Sequence, residues 1–240
     1  MRWLDSFVTE DEKEIFDAEY PAVVPFLMEE YGNECRFEVY SGFERSARRF
    51  AGEFPEERFS EEALGKICAY SDEYLAERGY SRDKKQTASF YIRYEFTGSG
   101  RLLSLCLSDT TFFLSDIYAP GQSLFVKKGG NITTFNLPSL VKKGIPAFVT
   151  LCGDRIVSIA TVNETEEEKN ILEITVETAP AFRKRGYAVS NTAALADYIQ
   201  KLGKKAVYCC RATNLSSRKV AEHCGFEKSG RFFAVSAYRD

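Results

Sequence analysis

Apolar and polar positions alternate between two periods along this chain, and the second half carries the clearer signal. Residues 146–151 and 155–162 are short apolar runs rich in β-branched types, which predicts two strands. Residues 171–176 form a third run, with Ile171, Leu172, Ile174, Thr175 and Val176 suited to a pleated, buried surface. Pro180 ends it, having no N–H for a ladder. From Tyr187 the period lengthens: Ala188, Leu195, Ile199 and Leu202 share one helical face. Residues 206–210 are a fourth strand. Asn214 is an N-cap for a second helix, with Ser217, Val220, Ala221 and Cys224 on one face and Gly225 as its terminating glycine. Phe226 restarts an extended run. The predicted order is β-β-β-α-β-α-β.

The first half is less regular. Residues 11–20 and 23–31 carry apolar residues at mixed helical spacing, interrupted by Pro21 and Pro25. Residues 37–40 read as a short strand, and 42–57 as a loop with a short helix. Ser60 caps a good helix with Glu61 and Glu62 in its first turn, and Gly79 ends it. Residues 90–96, 102–107 and 111–114 read as strands. The pair Gly98-x-Gly100 is not a dinucleotide loop, because it lacks a third glycine and precedes a strand. Lys127-Lys128-Gly129-Gly130 is the best candidate boundary. The expected division is an α/β region over 1–130 and a second domain over 131–240.

Between the third strand and its helix stand Arg183, Lys184, Arg185 and Gly186. The first N–H groups of a helix lack intrahelical acceptors, and the helix dipole makes that end positive. A glycine there lets a ligand approach the backbone. This is a natural anion site, above all for a pyrophosphate. Taken alone, the turn reads equally well as a strand–helix connection with solvated bases.

The ordered set tips that balance. Arg183, Gly186 and Ala188 (R-x-x-G-x-A), followed by Asn214 and Ser217 (N-x-x-S) and by Gly225-Phe226, resemble the GNAT superfamily of acetyl-coenzyme A-dependent N-acetyltransferases. The run from Glu177 to Ala188, with N-x-x-S-x-x-V-A-E after it, looks closest to the bacterial branch that includes the zwittermicin A resistance acetyltransferase. The resemblance is strong over 171–226 and weaker back to 146. It implies an α/β (α+β) GNAT fold, a mixed central sheet flanked by helices, with an additional N-terminal α/β region. It implies acetyl-CoA as co-substrate and no metal. Coenzyme A would lie across the turn, its pyrophosphate on the N–H groups from Lys184 through Arg185, Gly186 and Tyr187 to Ala188. Val176 and Thr178 would pair with the pantetheine arm, and Asn214 and Ser217 would touch its far end. Many relatives carry a tyrosine in the final helix as proton donor, where this chain has Ala221.

Amine acetylation also needs a base. Glu173 and Glu177 lie four apart on the third strand, hence on one face unless a bulge intervenes, and either could take the amine proton. Tyr208 and Tyr238 are further proton-donor candidates. The expected acceptor is a small-molecule amine. The alternatives are a non-catalytic acyl-CoA-binding or interaction module, and acetylation of peptide or protein N-termini.

Composition narrows the rest. A net charge of −3 gives no global basic field of the kind that nucleic-acid binders use. Seven cysteines without a C-x-x-C pair, and no signal peptide or long apolar run, suggest reduced thiols in the cytoplasm and no membrane partner. His223, the only histidine, reads as a surface residue. The first half is rich in acids (Glu29, Glu30, Glu34, Glu53, Glu56, Glu57) and aromatics (Tyr31, Phe37, Tyr40, Phe43, Phe54, Phe59), which suits a cationic acceptor. A solvated surface or a homodimer contact is the other reading of that half.

Overall fold

The computed structural model describes residues 3–18, 22–81, 88–98, 111–117, 137–153, 155–163 and 170–239. The expected boundary at 127–130 and the strand over 102–107 lie outside these residues. So do most of the glycine turn at 98–100 and most of the acidic turn before the third strand. By internal contact the chain forms two units, Met1–Ile92 with Ser229–Asp240, and Arg93–Lys228.

The first unit holds β1 (Leu4–Glu10), α1 (Glu12–Asp17), β2 (Ala22–Tyr31), β3 (Glu34–Tyr40), α2 (Glu44–Glu53), α3 (Glu61–Ala76) and β4 (Tyr80–Ser81). The start of β5 (Ala88–Phe96) and most of β11 (Phe226–Arg239) also belong to it. Its sheet runs β1-β3-β2-β11, with β4 beside β11. The β1–β3 pair is parallel; β2 pairs antiparallel with β3 and with β11.

Residues 23–31, expected to be helical, are a strand. The cause is a bulge. On β11, Val235 opposes Phe26 and Ala237 opposes Val23, so Val24 and Pro25 together face one residue. Pairing with β3 begins only at Phe26, and Pro25 therefore owes no ladder N–H. The bulge shifts the buried parity from Val23 to Phe26 and Met28, a spacing that imitates a helix. The helix over 11–20 shortens to α1, with Asp11 Oδ1 accepting from Lys13 N–H (2.9 Å). The Ser60 cap is as expected, its hydroxyl accepting from Ala63 N–H (3.2 Å).

The aromatic residues read as a cation-holding surface are largely core instead. Phe37 and Phe43 are fully buried, Tyr40 and Phe59 nearly so. Phe37 stacks on Phe7, and Phe43 meets Tyr74 edge-on. The unit's own arginines already occupy two of these faces, Arg58 over Phe37 and Arg231 over Phe59, and Arg48 lies over the neighbouring Phe7. Two of the acids are likewise engaged, Glu30 with Arg231 and Glu53 with Arg49. Burial pushes the Cys35 thiol up to about 11, which keeps it protonated and inert.

The second unit holds β6 (Thr111–Phe113), α4 (Leu114–Ile117), α5 (Leu137–Lys142), β7 (Ala147–Cys152), β8 (Arg155–Val162), β9 (Ile171–Thr178), α6 (Tyr187–Lys201), β10 (Lys205–Arg211) and α7 (Leu215–His223). Its sheet runs β10-β9-β8-β7-β6. The pairings from β6 to β9 are antiparallel, and β9–β10 is parallel, joined through α6 as a parallel pair requires. The expected class, a mixed sheet flanked by helices, is the one observed.

The buried face of α6 differs from expectation. Leu195 and Ile199 are fully buried, but Leu202 is 51% exposed. Ser190, Asn191 and Thr192 are buried in the first turns. Ser190 Oγ lies 2.6 Å from Thr111 Oγ1, and Thr150 Oγ1 donates to Asn191 Oδ1 (3.1 Å). An apolar-face count passes over such residues because they are polar, and hydrogen bonds support the burial of Ser190 and Asn191.

Candidate active site

The site forms where two parallel strands part. β9 pairs with β8 as far as Thr178–Ser158, without a bulge from Ile174 onward. Its ladder with β10 stops at Glu173–Val207. Beyond that point lies a cleft of roughly 780 Å³, lined by the end of β9, the turn before α6, Tyr208 of β10 and the start of α7.

The turn makes one end of the cleft basic. Thr178 is followed by a single 3-10 turn, Pro180–Phe182, and then by exposed Arg183, Lys184 and Arg185. Arg183 Nε donates to Thr178 O (3.1 Å). Arg185 donates to Ala181 O (3.4 Å) and lies over the Phe182 ring. Gly186 takes φ +82°, a left-handed conformation that glycine adopts without penalty, and starts α6 with no side-chain cap. The first backbone bond of α6 runs from Ser190 N–H to Gly186 O (2.9 Å). The N–H groups of Tyr187, Ala188 and Val189 therefore precede the helical ladder and face the positive end of the dipole.

Lys184 is also left-handed, at φ +61°, where a side chain costs about 1–2 kcal/mol. Such strain is retained where the residue serves something other than stability. Lys184→Gly is expected to raise stability by up to about 1 kcal/mol while weakening coenzyme A binding about tenfold. Thermal melts and calorimetry on the same variant check both signs. A rise in stability with unchanged affinity would leave Lys184 without a ligand role.

The opposite wall comes from α7. Asn214 Oδ1 accepts from Ser217 N–H (3.1 Å), the predicted cap. Ser217 Oγ lies 2.7 Å from the Tyr208 hydroxyl. Tyr208 is only 2% exposed, and burial raises its pKa well above the ordinary phenol value. Gly225 follows α7 at φ +81°, and Ala221 is fully buried. His223 is a surface residue whose Nδ1 lies 2.7 Å from Lys219 O.

The two carboxylates separate here. Glu173 and Glu177 share the parity of β9, but only Glu177 lines the cleft, with Val176 and Thr178 beside it. Glu173 sits where the β9–β10 ladder is still closed, and its Oε1 accepts from Asn163 Nδ2 (3.4 Å). Every cofactor-side residue named from sequence lines the cleft: Val176, Thr178, Arg183, Lys184, Arg185, Gly186, Tyr187, Ala188, Asn214 and Ser217. Lys219 and Val220 line it too and were missed, since an exposed lysine on a helix carries no signal of its own. Tyr238 lies in the other unit, paired with Ala22 and Ser81.

Among solved structures, the chain is similar to a protein described as a GNAT-family acetyltransferase from Novosphingobium aromaticivorans. Identity is 14%, over 68% of each chain, with a TM-score of 0.48. A GCN5-related N-acetyltransferase-like protein from Streptococcus suis matches at 19% identity over 72% of this chain and 69% of that one, with a TM-score of 0.43. The aminoglycoside N-acetyltransferase AAC(6')-Iy, solved with CoA, matches at 18% identity over 39% of this chain and 76% of that one, with a TM-score of 0.34. No curated protein matches the sequence. Residues 134–235, which carry the parted strands, the basic turn and both walls of the cleft, match the GNAT acetyltransferase family.

Proposed function

We propose that this protein transfers an acetyl group from acetyl-coenzyme A to the amine of a small molecule. The observation that carries the reading is the parting of β9 from β10 directly beside an uncapped, basic helix N-terminus. The residues present fit the co-substrate. Free N–H groups at the start of α6 and three neighbouring cations suit a pyrophosphate. The end of β9 at Val176 lies past its ladder with β10, which suits backbone pairing with the amides of a pantetheine arm, and the Thr178 carbonyl beside it already accepts from Arg183. Asn214 and Ser217 supply polar contacts on the far wall.

Glu177 is the base in this reading. Glu177 lines the cleft next to Val176, whereas Glu173 is not among its lining residues. The amine nitrogen attacks the thioester carbonyl carbon, the carbon–sulfur bond breaks, and the amine proton passes to Glu177 directly or through water. Resemblance to the zwittermicin A resistance branch favours a small amine as acceptor; the N-x-x-S-x-x-V-A-E part of the pattern is shared with peptide and ribosomal-protein acetyltransferases and keeps that acceptor class as the alternative.

Ala221 keeps a second reading open. Its fully buried methyl brings no proton donor to the leaving sulfur, as a non-catalytic acyl-CoA-binding module would allow. A thiol-release assay over amines, antibiotics and peptides separates the readings. Release with a small amine supports the proposal, release only with peptides reassigns the acceptor, and binding without release points to the module.

Coenzyme A affinity is expected to fall as salt rises, because exposed Arg183, Lys184, Arg185 and Lys219 face a multiply charged ligand. Calorimetry at low and high ionic strength checks this. Absence of heat and of thermal shift at saturating ligand would remove the cofactor assignment.

A further inference from the structure

Cleavage of a thioester leaves negative charge on sulfur, and that charge needs a donor. The described residues of the cleft offer a pair of neutral hydroxyls suited to it. The Tyr208 hydroxyl and Ser217 Oγ lie 2.7 Å apart, and both residues line the cleft. The Tyr208 ring packs edge-on against Phe226, which fixes its direction. The Ser217 backbone is held as well, its N–H bonded to Asn214.

We propose that the Ser217 hydroxyl, oriented by the Tyr208 hydroxyl, donates a hydrogen bond to the coenzyme sulfur and stabilises it as the leaving thiolate. The inference rests on the acetyl-transfer reading and assigns its leaving-group step.

Burial keeps Tyr208 protonated, so both hydroxyls are neutral and either can donate across the 2.7 Å contact; in the proposed arrangement the Tyr208 O–H is the donor and Ser217 Oγ the acceptor. That leaves the Ser217 O–H to donate elsewhere. Its other neighbour on β10 is Cys210, a thiol that burial also keeps neutral. Neither competes as an anion would. The ionisable groups facing the cleft from other elements are Glu177 on β9, Arg183, Lys184 and Arg185 in the turn, Tyr187 on α6 and Lys219 on α7. The cations act as point charges on the phosphates; the hydroxyl pair supplies directed hydrogen bonding.

The step balances without a proton from either residue. The carbon–sulfur bond breaks with its electron pair on sulfur, the amine proton goes to Glu177 or water, and Ser217 and Tyr208 keep theirs. The thiolate is protonated by solvent after release. Tyr208 is thus a positioning residue acting through Ser217.

The test compares binding of coenzyme A with that of desulfo-coenzyme A by calorimetry across pH ~8.5, where a thiol ionises. A hydrogen bond made only to the thiolate lowers the pKa of the bound thiol below that of the free one. Binding of coenzyme A then tightens relative to the desulfo ligand as pH rises through the bound value. The expected gain is about tenfold or more in the wild type. Ser217→Ala, which keeps the backbone bond to Asn214, should remove that gain. Ser217→Thr should restore it, and Tyr208→Phe should reduce it while leaving desulfo-coenzyme A affinity in place. An identical pH profile in the wild type and Ser217→Ala overturns this inference alone. Failure of both ligands to bind at any pH overturns the cofactor reading with it.

Discussion

Glu177→Gln is expected to lower acetyl-transfer turnover by roughly 10²–10⁴-fold with coenzyme A affinity unchanged. Glu173→Gln is expected to leave turnover within a few-fold of wild type. By strand parity alone these carboxylates are equivalent, since they share a strand face. Their surroundings divide them. At Glu173 the β9–β10 ladder is closed, and the carboxylate is engaged by Asn163. Glu177 sits past the point where the strands part and lines the cleft. A base must come within hydrogen-bond reach of the amine, directly or through one water, so position precedes pKa as the criterion. Steady-state rates with a responsive acceptor, together with calorimetry for coenzyme A, check both halves. Near-normal turnover in Glu177→Gln would send the proton to solvent. Loss in Glu173→Gln alone would move the acceptor to the closed end of the strand.

The contrast between those residues shows what was legible beforehand. Strand, basic turn, helix and N-capped helix each have local signatures: a β-branched run, a glycine at a helix start, an asparagine three residues before a serine. Each element appeared where its signature lies. The parting of β9 from β10 has no such signature, because it depends on where a ladder with a strand 34 residues away stops. The first unit shows the same limit. One bulge at Val24–Pro25 turned an alternating strand into a helical spacing. Aromatics that looked like a cation surface are core that packs against the unit's own arginines. Composition records that rings and charges are present, but burial decides whether they face a ligand or one another.

Gly186→Val is expected to abolish measurable coenzyme A binding, a loss of at least about 10²-fold, while also lowering the melting temperature by several degrees. Two effects act at once. The φ of +82° is left-handed, where an L residue costs about 1–2 kcal/mol and a β-branched one more. For a chain of this size each kcal/mol corresponds to about 2–4 °C. Separately, a branched side chain at the residue opening α6 stands where an anion must approach the free N–H groups. Gly203 allows the two effects to be separated. It lies just past the other end of α6, at φ +71°, and a Cβ there meets nothing within 4 Å. Gly203→Val therefore carries a comparable backbone penalty without approaching the cleft. Melting curves of the two variants should fall together, and calorimetry should show binding lost only in Gly186→Val. Equal loss of affinity in both would mean that backbone strain, rather than an obstructed phosphate approach, accounts for the effect, and the turn would lose its assignment as the anion site.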